Sequence, residues 1–357
     1  MIYLLFSQNK IGAIRLKKLT YSVSGVDILK EDKAIKQIIS SLKTKRKNKI
    51  GKPIGGHYAG MIEFGENALV LCTDGVGSKV LIANELKKYD TVGIDCIAMN
   101  VNDAICVGAE PLAFVDYLAI NDPKPEITEE IGKGLDKGAA LSNISIISGE
   151  TASLPEIING FDLAGTCLAY VKKDRIVIGE KINPGDLIIG LSSTGIHSNG
   201  YTLARKVIRE NNFSYKEAFP DNLYSNKTIG EIYLTPTQIY VKETIALLKE
   251  INVHGIAHIT GSGLRKPKRI NKNVKFVIDD PFEPQPVFKF IQKYGNISDL
   301  EMYQTFNMGM GLIIIVSKED VKESLKILKK NSLSKVKIVG RIEKGKEVLH
   351  EPLNLKF

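Results

Sequence analysis

The strongest constraint on this 357-residue chain is a repeated local pattern, in which a short apolar run stops at a polar, glycine-bearing segment. Ala68-Leu69-Val70-Leu71-Cys72-Thr73 runs into Asp74-Gly75-Val76-Gly77, and the apolar stretch 144–147 runs into Ser148-Gly149-Glu150-Thr151. Apolar runs of this length, bounded by turn residues, read as buried strands. Further strands are expected at 112–120 and 162–171. Helices are expected at 90–106, stopped by Gly108 and Pro111, and at 126–141. Composition shifts at Lys172-Lys173-Asp174-Arg175. The second half then offers strands at 186–191, 274–278, 311–316 and near Val336 and Val348, with helices at 201–210, 236–249, 287–294 and 318–330. Pro236 is acceptable in a helical first turn. Strands and helices mix without strict βαβ alternation, which favours an α+β class. The expected division is an extension at 1–18, a first domain at 19–172 and a second at 173–357.

Charge is distributed unevenly. The chain carries +9 overall, yet residues 1–52 hold 13 Lys and Arg against 3 Asp and Glu. The excess is densest at Lys43-Thr44-Lys45-Arg46-Lys47-Asn48-Lys49. Such a run suits a solvated loop, or a lid closing over a phosphorylated ligand. A nucleic-acid role expects aromatic residues among the charges, and none stands between Val23 and His57. An apolar fraction of 43% with 25% charged residues is that of a globular chain. No apolar run approaches the ~20 residues needed to cross a bilayer, so neither nucleic acid nor membrane is an expected partner. Cys72, Cys96, Cys106 and Cys167 lie in apolar contexts without CxxC spacing and read as reduced core thiols of a cytoplasmic protein. Met1-Ile2-Tyr3-Leu4-Leu5-Phe6 precedes its positive charges, the reverse of a secretory signal. Residues 1–18 therefore read as an added extension.

Five segments carry chemistry. In Thr73-Asp74-Gly75-Val76-Gly77-Ser78-Lys79, a carboxylate, two glycines and a lysine suit a metal-bound phosphate, although Asp-Gly also suits a tight turn. On the helix at 90–106, Asp95, Asn102 and Asp103 share one face of an otherwise apolar sequence. Buried carboxylates are costly unless paired or metal-bound. With no lysine beside them in sequence, metal binding is the favoured reading. Ser148-Gly149-Glu150-Thr151 is the third segment. In the fourth, Ser193-Thr194-Gly195-Ile196-His197-Ser198-Asn199-Gly200 opens onto a helix N-terminus, where free amides attract anions, and His197 offers an acid or base. In the fifth, His254 and His258 stand at i, i+4. Gly255 occupies the place where a zinc helix carries glutamate, so Gly261-Ser262-Gly263 is the better phosphate contact. The chain contains neither GxxxxGK[ST] nor a GxGxxG between strand and helix.

The order of these segments resembles a known family. Thr20-Tyr21-Ser22-Val23-Ser24-Gly25-Val26-Asp27 is similar to its opening signature. The Asp74 segment, Gly93-Ile94-Asp95-Cys96-Ile97-Ala98-Met99-Asn100-Val101-Asn102-Asp103, Gly108-Ala109-Glu110-Pro111 and Gly149-Glu150-Thr151-Ala152 follow. Then come His197-Ser198-Asn199-Gly200-Tyr201, His258-Ile259-Thr260-Gly261 and Met302-Tyr303-Gln304-Thr305-Phe306-Asn307-Met308-Gly309. The set resembles the phosphoribosylformylglycinamidine cyclo-ligase family, also called aminoimidazole ribonucleotide synthetase, from about Leu19 to about Ile342. The resemblance implies a two-domain α+β subunit whose N-terminal sheet forms a barrel across a homodimer. It also implies ATP and Mg²⁺ as cofactors, and closure of the imidazole ring of formylglycinamidine ribonucleotide. Carried over by position, it assigns Mg²⁺ to Asp74, Asp95 and Asp103, and phosphates to Lys79. It puts Glu150, His197 and Asn199 at the reacting end, and Thr260, Gly261 and Gly263 on substrate phosphate. Gly75, Gly77 and Asn102 complete the nucleotide set. Ser262 interrupts a usual run of three glycines, and Leu264-Arg265-Lys266-Pro267-Lys268 replaces a usually aromatic, less basic stretch. Related selenophosphate synthetases carry a reactive cysteine in the early glycine region, which residues 50–60 lack.

Overall fold

The computed structural model describes residues 19–22, 24–26, 28–44, 51–220, 224 and 226–357. The extension at 1–18, and the basic run from Lys45 to Lys49, lie outside these residues. The first half comprises α1 (Ile28–Ser41), β1 (Pro53–Ile54), β2 (Gly60–Phe64), β3 (Asn67–Gly75), α2 (Val80–Leu86) and α3 (Val92–Ile105), then β4 (Glu110–Ile120), α4 (Pro125–Ser142), β5 (Ser145–Ser153) and β6 (Phe161–Lys172). The second half comprises β7 (Leu187–Ser192), α5 (Tyr201–Glu210), α6 (Ile229–Tyr233), α7 (Val241–Glu250), β8 (Gly255–His258), β9 (Val274–Ile278) and α8 (Pro286–Gly295). It continues with α9 (Asp299–Thr305), β10 (Met310–Val316), α10 (Val321–Asn331), β11 (Val336–Lys344), β12 (Val348–His350) and β13 (Leu355–Lys356).

Helices and strands mix as the α+β class requires. The first sheet has six strands in the order β1-β2-β3-β6-β4-β5, antiparallel except for the β4–β5 pair. Period-2 alternation along β3 and β6 sends Val70, Cys72, Leu163, Cys167 and Ala169 inward, where they are buried. Helix α3 packs over that face, and α4 crosses α3 so closely that a Cβ on Gly93 would collide with the α4 backbone and one on Gly134 with the Asp90 carbonyl just before α3. The opposite face is bare: Leu71, Leu112, Tyr117 and Ile147 are exposed. The seven-stranded second sheet runs β13-β12-β9-β11-β7-β10-β8. Its strand β10 is buried along its whole length, as befits a continuous apolar run. Among the described residues no helix is long and apolar enough to cross a membrane. All four cysteines are free and buried.

The helix expected at 236–249 begins five residues later, at Val241. Segment 235–240 is instead a strap between the halves. Its groups bond to Lys79, Thr194, Asp95 and Asn102. The pair His254 and His258 lies on and beside strand β8, not on a helix. There each ring meets a different carboxylate, Asp186 and Asp103.

Candidate active site

The polar stripe of α3 is the seam between the two halves. Asp95 is fully buried, with Oδ2 2.6 Å from the Lys79 ammonium. Its Oδ1 accepts from the Thr237 amide at 2.7 Å and the Thr237 hydroxyl at 2.6 Å. Lys79, equally buried, also donates to the carbonyls of Thr235 (2.7 Å) and His197 (3.2 Å). Its three protons are therefore all engaged. The structure pairs the two residues with each other. The Lys79 ammonium is taken up by Asp95 and two carbonyls instead of facing an open phosphate site, and the Asp95 carboxylate is held between Lys79 and Thr237. The lysine absent from the helix sequence comes from the turn after β3.

Asn102 is held in the same way. Its amide donates to the Gln238 carbonyl (2.8 Å) and accepts from the Tyr240 amide (3.0 Å). This fully buried side chain pins the strap and does not face a ligand.

Asp74 and Asp103 do come together. Asp74 ends β3, where Gly75 donates its amide to the carboxylate at 2.7 Å. Burial raises the Asp74 pKa, and the nearby Asp103 charge raises it further. Asp103 Oδ1 lies 3.0 Å from His258 Nδ1, which places the ring proton on that nitrogen; the buried Nε2 has no partner among the described residues. The charge of the same carboxylate also acts on His57 and Tyr58, from the glycine region before β2. Burial pushes the His57 pKa down to about 4. Lys266 completes the group, its ammonium 5.6 Å from the Tyr58 ring centre. Among the described residues no three His, Cys, Asp or Glu side chains converge as a metal cage. The expected triad is thus reduced to Asp74 and Asp103. Two hard oxygen donors fit Mg²⁺, which usually takes one or two carboxylates and completes its shell with phosphate and water.

The His197 carbonyl accepts from Lys79 at the seam. The residue is buried, in the left-handed region at φ 66°, with Nε2 accepting from the Thr194 amide at 3.2 Å. Burial, then the charges of His258 and Lys79, holds its pKa well below the usual histidine range. Asn307 fixes this loop through the Gly195 carbonyl at 2.8 Å. Asn199 packs on Gly261 and donates to the Met99 sulfur at 3.9 Å. In the glycine loop, the amides of Ser262 and Gly263 fold back onto the Thr260 carbonyl at 2.7 and 2.8 Å. The amide cradle expected there is therefore already occupied. Gly263 sits at φ 47°, and a Cβ would strike the Tyr303 carbonyl. Gly77, at φ 69°, starts the turn to α2 and has open space around it.

Glu150 does not join the cluster. It stands on the exposed edge strand β5, separated from β3 by β6 and β4. Sequence reasoning passed over His57, Tyr58 and the strap. It registered Lys266 only as an unusual basic residue.

Known proteins match both halves. The family model for the AIR synthase related protein, N-terminal domain, covers residues 56–171, and the C-terminal domain covers 183–350. The chain belongs to the AIR synthase related family. Phosphoribosylformylglycinamidine cyclo-ligase of Methanosarcina barkeri is 56% identical to it over 329 residues, 91% of this chain and 95% of that protein. The Methanococcus maripaludis (strain C7) protein of the same name is 53% identical over 332 residues, 92% of this chain and 93% of its own length. Among solved structures, hydrogenase maturation protein HypE in complex with ATP aligns with a TM-score of 0.59 at 15% identity, over 81% of this chain and 83% of that one. AaThiL complexed with AMPPCP and TMP aligns at 0.58 and 15%, over 95% of each chain. The last two show that this AIR synthase related chain shares their fold.

Proposed function

We propose that this chain is an ATP-dependent cyclo-ligase that converts formylglycinamidine ribonucleotide to 5-aminoimidazole ribonucleotide, with release of ADP and phosphate. The observation that carries the reading is the 56% identity to a cyclo-ligase across 95% of that protein. ATP supplies the chemistry that turns the poor formyl-oxygen leaving group into phosphate, so that the amidine nitrogen of the same molecule can close the ring. Asp74 and Asp103 are the residues that would hold Mg²⁺ with the nucleotide phosphates. His258 orients Asp103 through Nδ1. His197, neutral at physiological pH, offers its Nδ1 proton toward the seam, and Asn199 orients the reacting end. ATP-bound and AMPPCP-bound fold neighbours support a nucleotide site.

The working unit is a homodimer built on the bare face of the first sheet. A sheet with Leu71, Leu112, Tyr117 and Ile147 exposed lacks a cover in one chain, and edge strand β5 is open for pairing. A second copy supplies both needs and encloses Glu150.

Purified protein given Mg²⁺ and ATP is expected to form ADP and the aminoimidazole with formylglycinamidine ribonucleotide, and to leave thiamine monophosphate untouched. Phosphorylation of thiamine monophosphate instead would overturn the reading.

A further inference from the structure

The strap at 235–240 does more than join the halves, because it also grips the loop that carries His197. Thr194 donates its hydroxyl to the Pro236 carbonyl at 2.6 Å, and the Thr194 amide is the group that meets His197 Nε2. Ser198 and Thr237, both buried, have their hydroxyl oxygens 3.2 Å apart. The direction of that bond is fixed. A carboxylate only accepts, so the single Thr237 hydroxyl proton goes to Asp95 Oδ1 at 2.6 Å. Ser198 must then donate to Thr237. Lys79 closes the circuit, since it meets Asp95 Oδ2 at 2.6 Å and the His197 carbonyl at 3.2 Å. His197 is thus clasped through its own carbonyl and through the next residue in the chain. At φ 66° it occupies a backbone region that a residue with a side chain keeps only where its surroundings over-determine it.

The same contacts fix the ring. An amide N–H can only donate, so His197 Nε2 is the accepting nitrogen and the ring proton sits on Nδ1. Among the described residues the buried Nδ1 has no partner. A buried donor without an acceptor is costly, and an oxygen of a bound substrate would remove that cost. We propose that Thr237 is a positioning residue for the ring closure: its hydroxyl, held by Asp95, anchors Ser198 so that His197 keeps its left-handed backbone and presents Nδ1–H to a substrate oxygen. The proposal rests on the cyclo-ligase reading. Thr237 acts only through His197, and its own proton stays in the bond to Asp95.

The test compares Thr237→Val, Thr237→Ser, Ser198→Ala and the double variant Thr237→Val/Ser198→Ala in the full chain. Valine keeps the shape of threonine without its hydroxyl, and Ser198→Ala breaks the same bond while leaving Asp95 its Thr237 partners. Two readouts are used. One is steady-state kcat and KM with ATP and formylglycinamidine ribonucleotide. The other is nitrogen NMR of isotope-labelled histidine, which reports the ring tautomer, with the His197 signal assigned by its loss in His197→Gln. Thr237→Val and Ser198→Ala should each lower kcat by about 10- to 100-fold, with KM values moved by less than about threefold. The double variant should be no worse than the poorer single one, because all three lose one bond. Thr237→Ser should recover most of the turnover. The His197 ring should show a single Nδ1–H tautomer in wild type and Thr237→Ser, and a mixture in Thr237→Val and Ser198→Ala. A folded Thr237→Val protein that turns over within about threefold of wild type, or that keeps the single wild-type tautomer, would overturn the proposal. Should Thr237→Val fail to fold, Ser198→Ala decides by the same criteria. If wild type makes no aminoimidazole, the cyclo-ligase reading fails. The tautomer arm then still decides on Thr237, because an unchanged ring signal in Thr237→Val shows that its hydroxyl does not hold His197.

Discussion

Removing the Asp95 carboxylate separates two accounts of the helix α3 stripe. In the structure, Asp95→Ala takes away the counter-charge of a fully buried ammonium, 2.6 Å distant. It also strips the acceptor from the Thr237 amide and hydroxyl. Deleting one partner of a buried ion pair costs about 3–5 kcal/mol. At ~2–4 °C per kcal/mol for a domain of this size, the thermal midpoint should fall by roughly 6–20 °C. Lys79→Met should cost a similar amount, since it leaves Asp95 charged and frees the carbonyls of Thr235 and His197. The double variant Lys79→Met/Asp95→Leu should be clearly more stable than the sum of the single losses, because an apolar pair avoids an isolated buried charge. Differential scanning calorimetry on the four proteins measures the cycle. If Asp95→Ala keeps the wild-type midpoint while its Mg²⁺ requirement changes, the ion-pair account is wrong and Asp95 is a metal ligand after all.

Asp74→Asn and Asp103→Asn should remain folded by circular dichroism and lose turnover by about 100-fold or more; near wild-type kinetics in either would exclude that residue from the site. Sedimentation should report about twice the chain mass at micromolar concentration, and Tyr117→Glu on the bare sheet face should shift it toward the monomer; a wild-type monomer that turns over would contradict the shared-sheet assembly. With a folded pKa of about 4, His57 resists protonation in the native state, whereas the unfolded chain takes up the proton near 6.5. Stability should therefore decline as pH falls from about 6.5 to about 4, and less steeply in His57→Phe, as read from urea midpoints; identical slopes would show that His57 is not the group responsible. Gly263→Ala forces a side chain into φ 47° against the Tyr303 carbonyl, so its midpoint in urea should drop by the equivalent of about 1–3 kcal/mol.

What the sequence revealed follows from which interactions are local. Strand β3, helix α3 and strand β10 announce themselves because apolar period and flanking glycines are properties of neighbouring residues. The co-facial placement of Asp95, Asn102 and Asp103 was readable for the same reason. Their partners were not: the Thr237 groups that bind Asp95 lie 142 positions away, and the Asn102 contacts lie 136 and 138 positions away. A buried carboxylate looks the same in sequence whether a metal or a distant amide satisfies it. The late start of α7 has the same origin. Pro236 permits a helical first turn, yet the strap's polar groups are already committed across the seam to α3, Lys79 and Thr194. The two histidines show the converse. An i, i+4 spacing signals a shared face only on a helix, and here Gly255–His258 forms the fully buried strand β8. The family resemblance assigned the phosphate cation to Lys79, and only the three-dimensional pairing with Asp95 shows its ammonium held between the two halves.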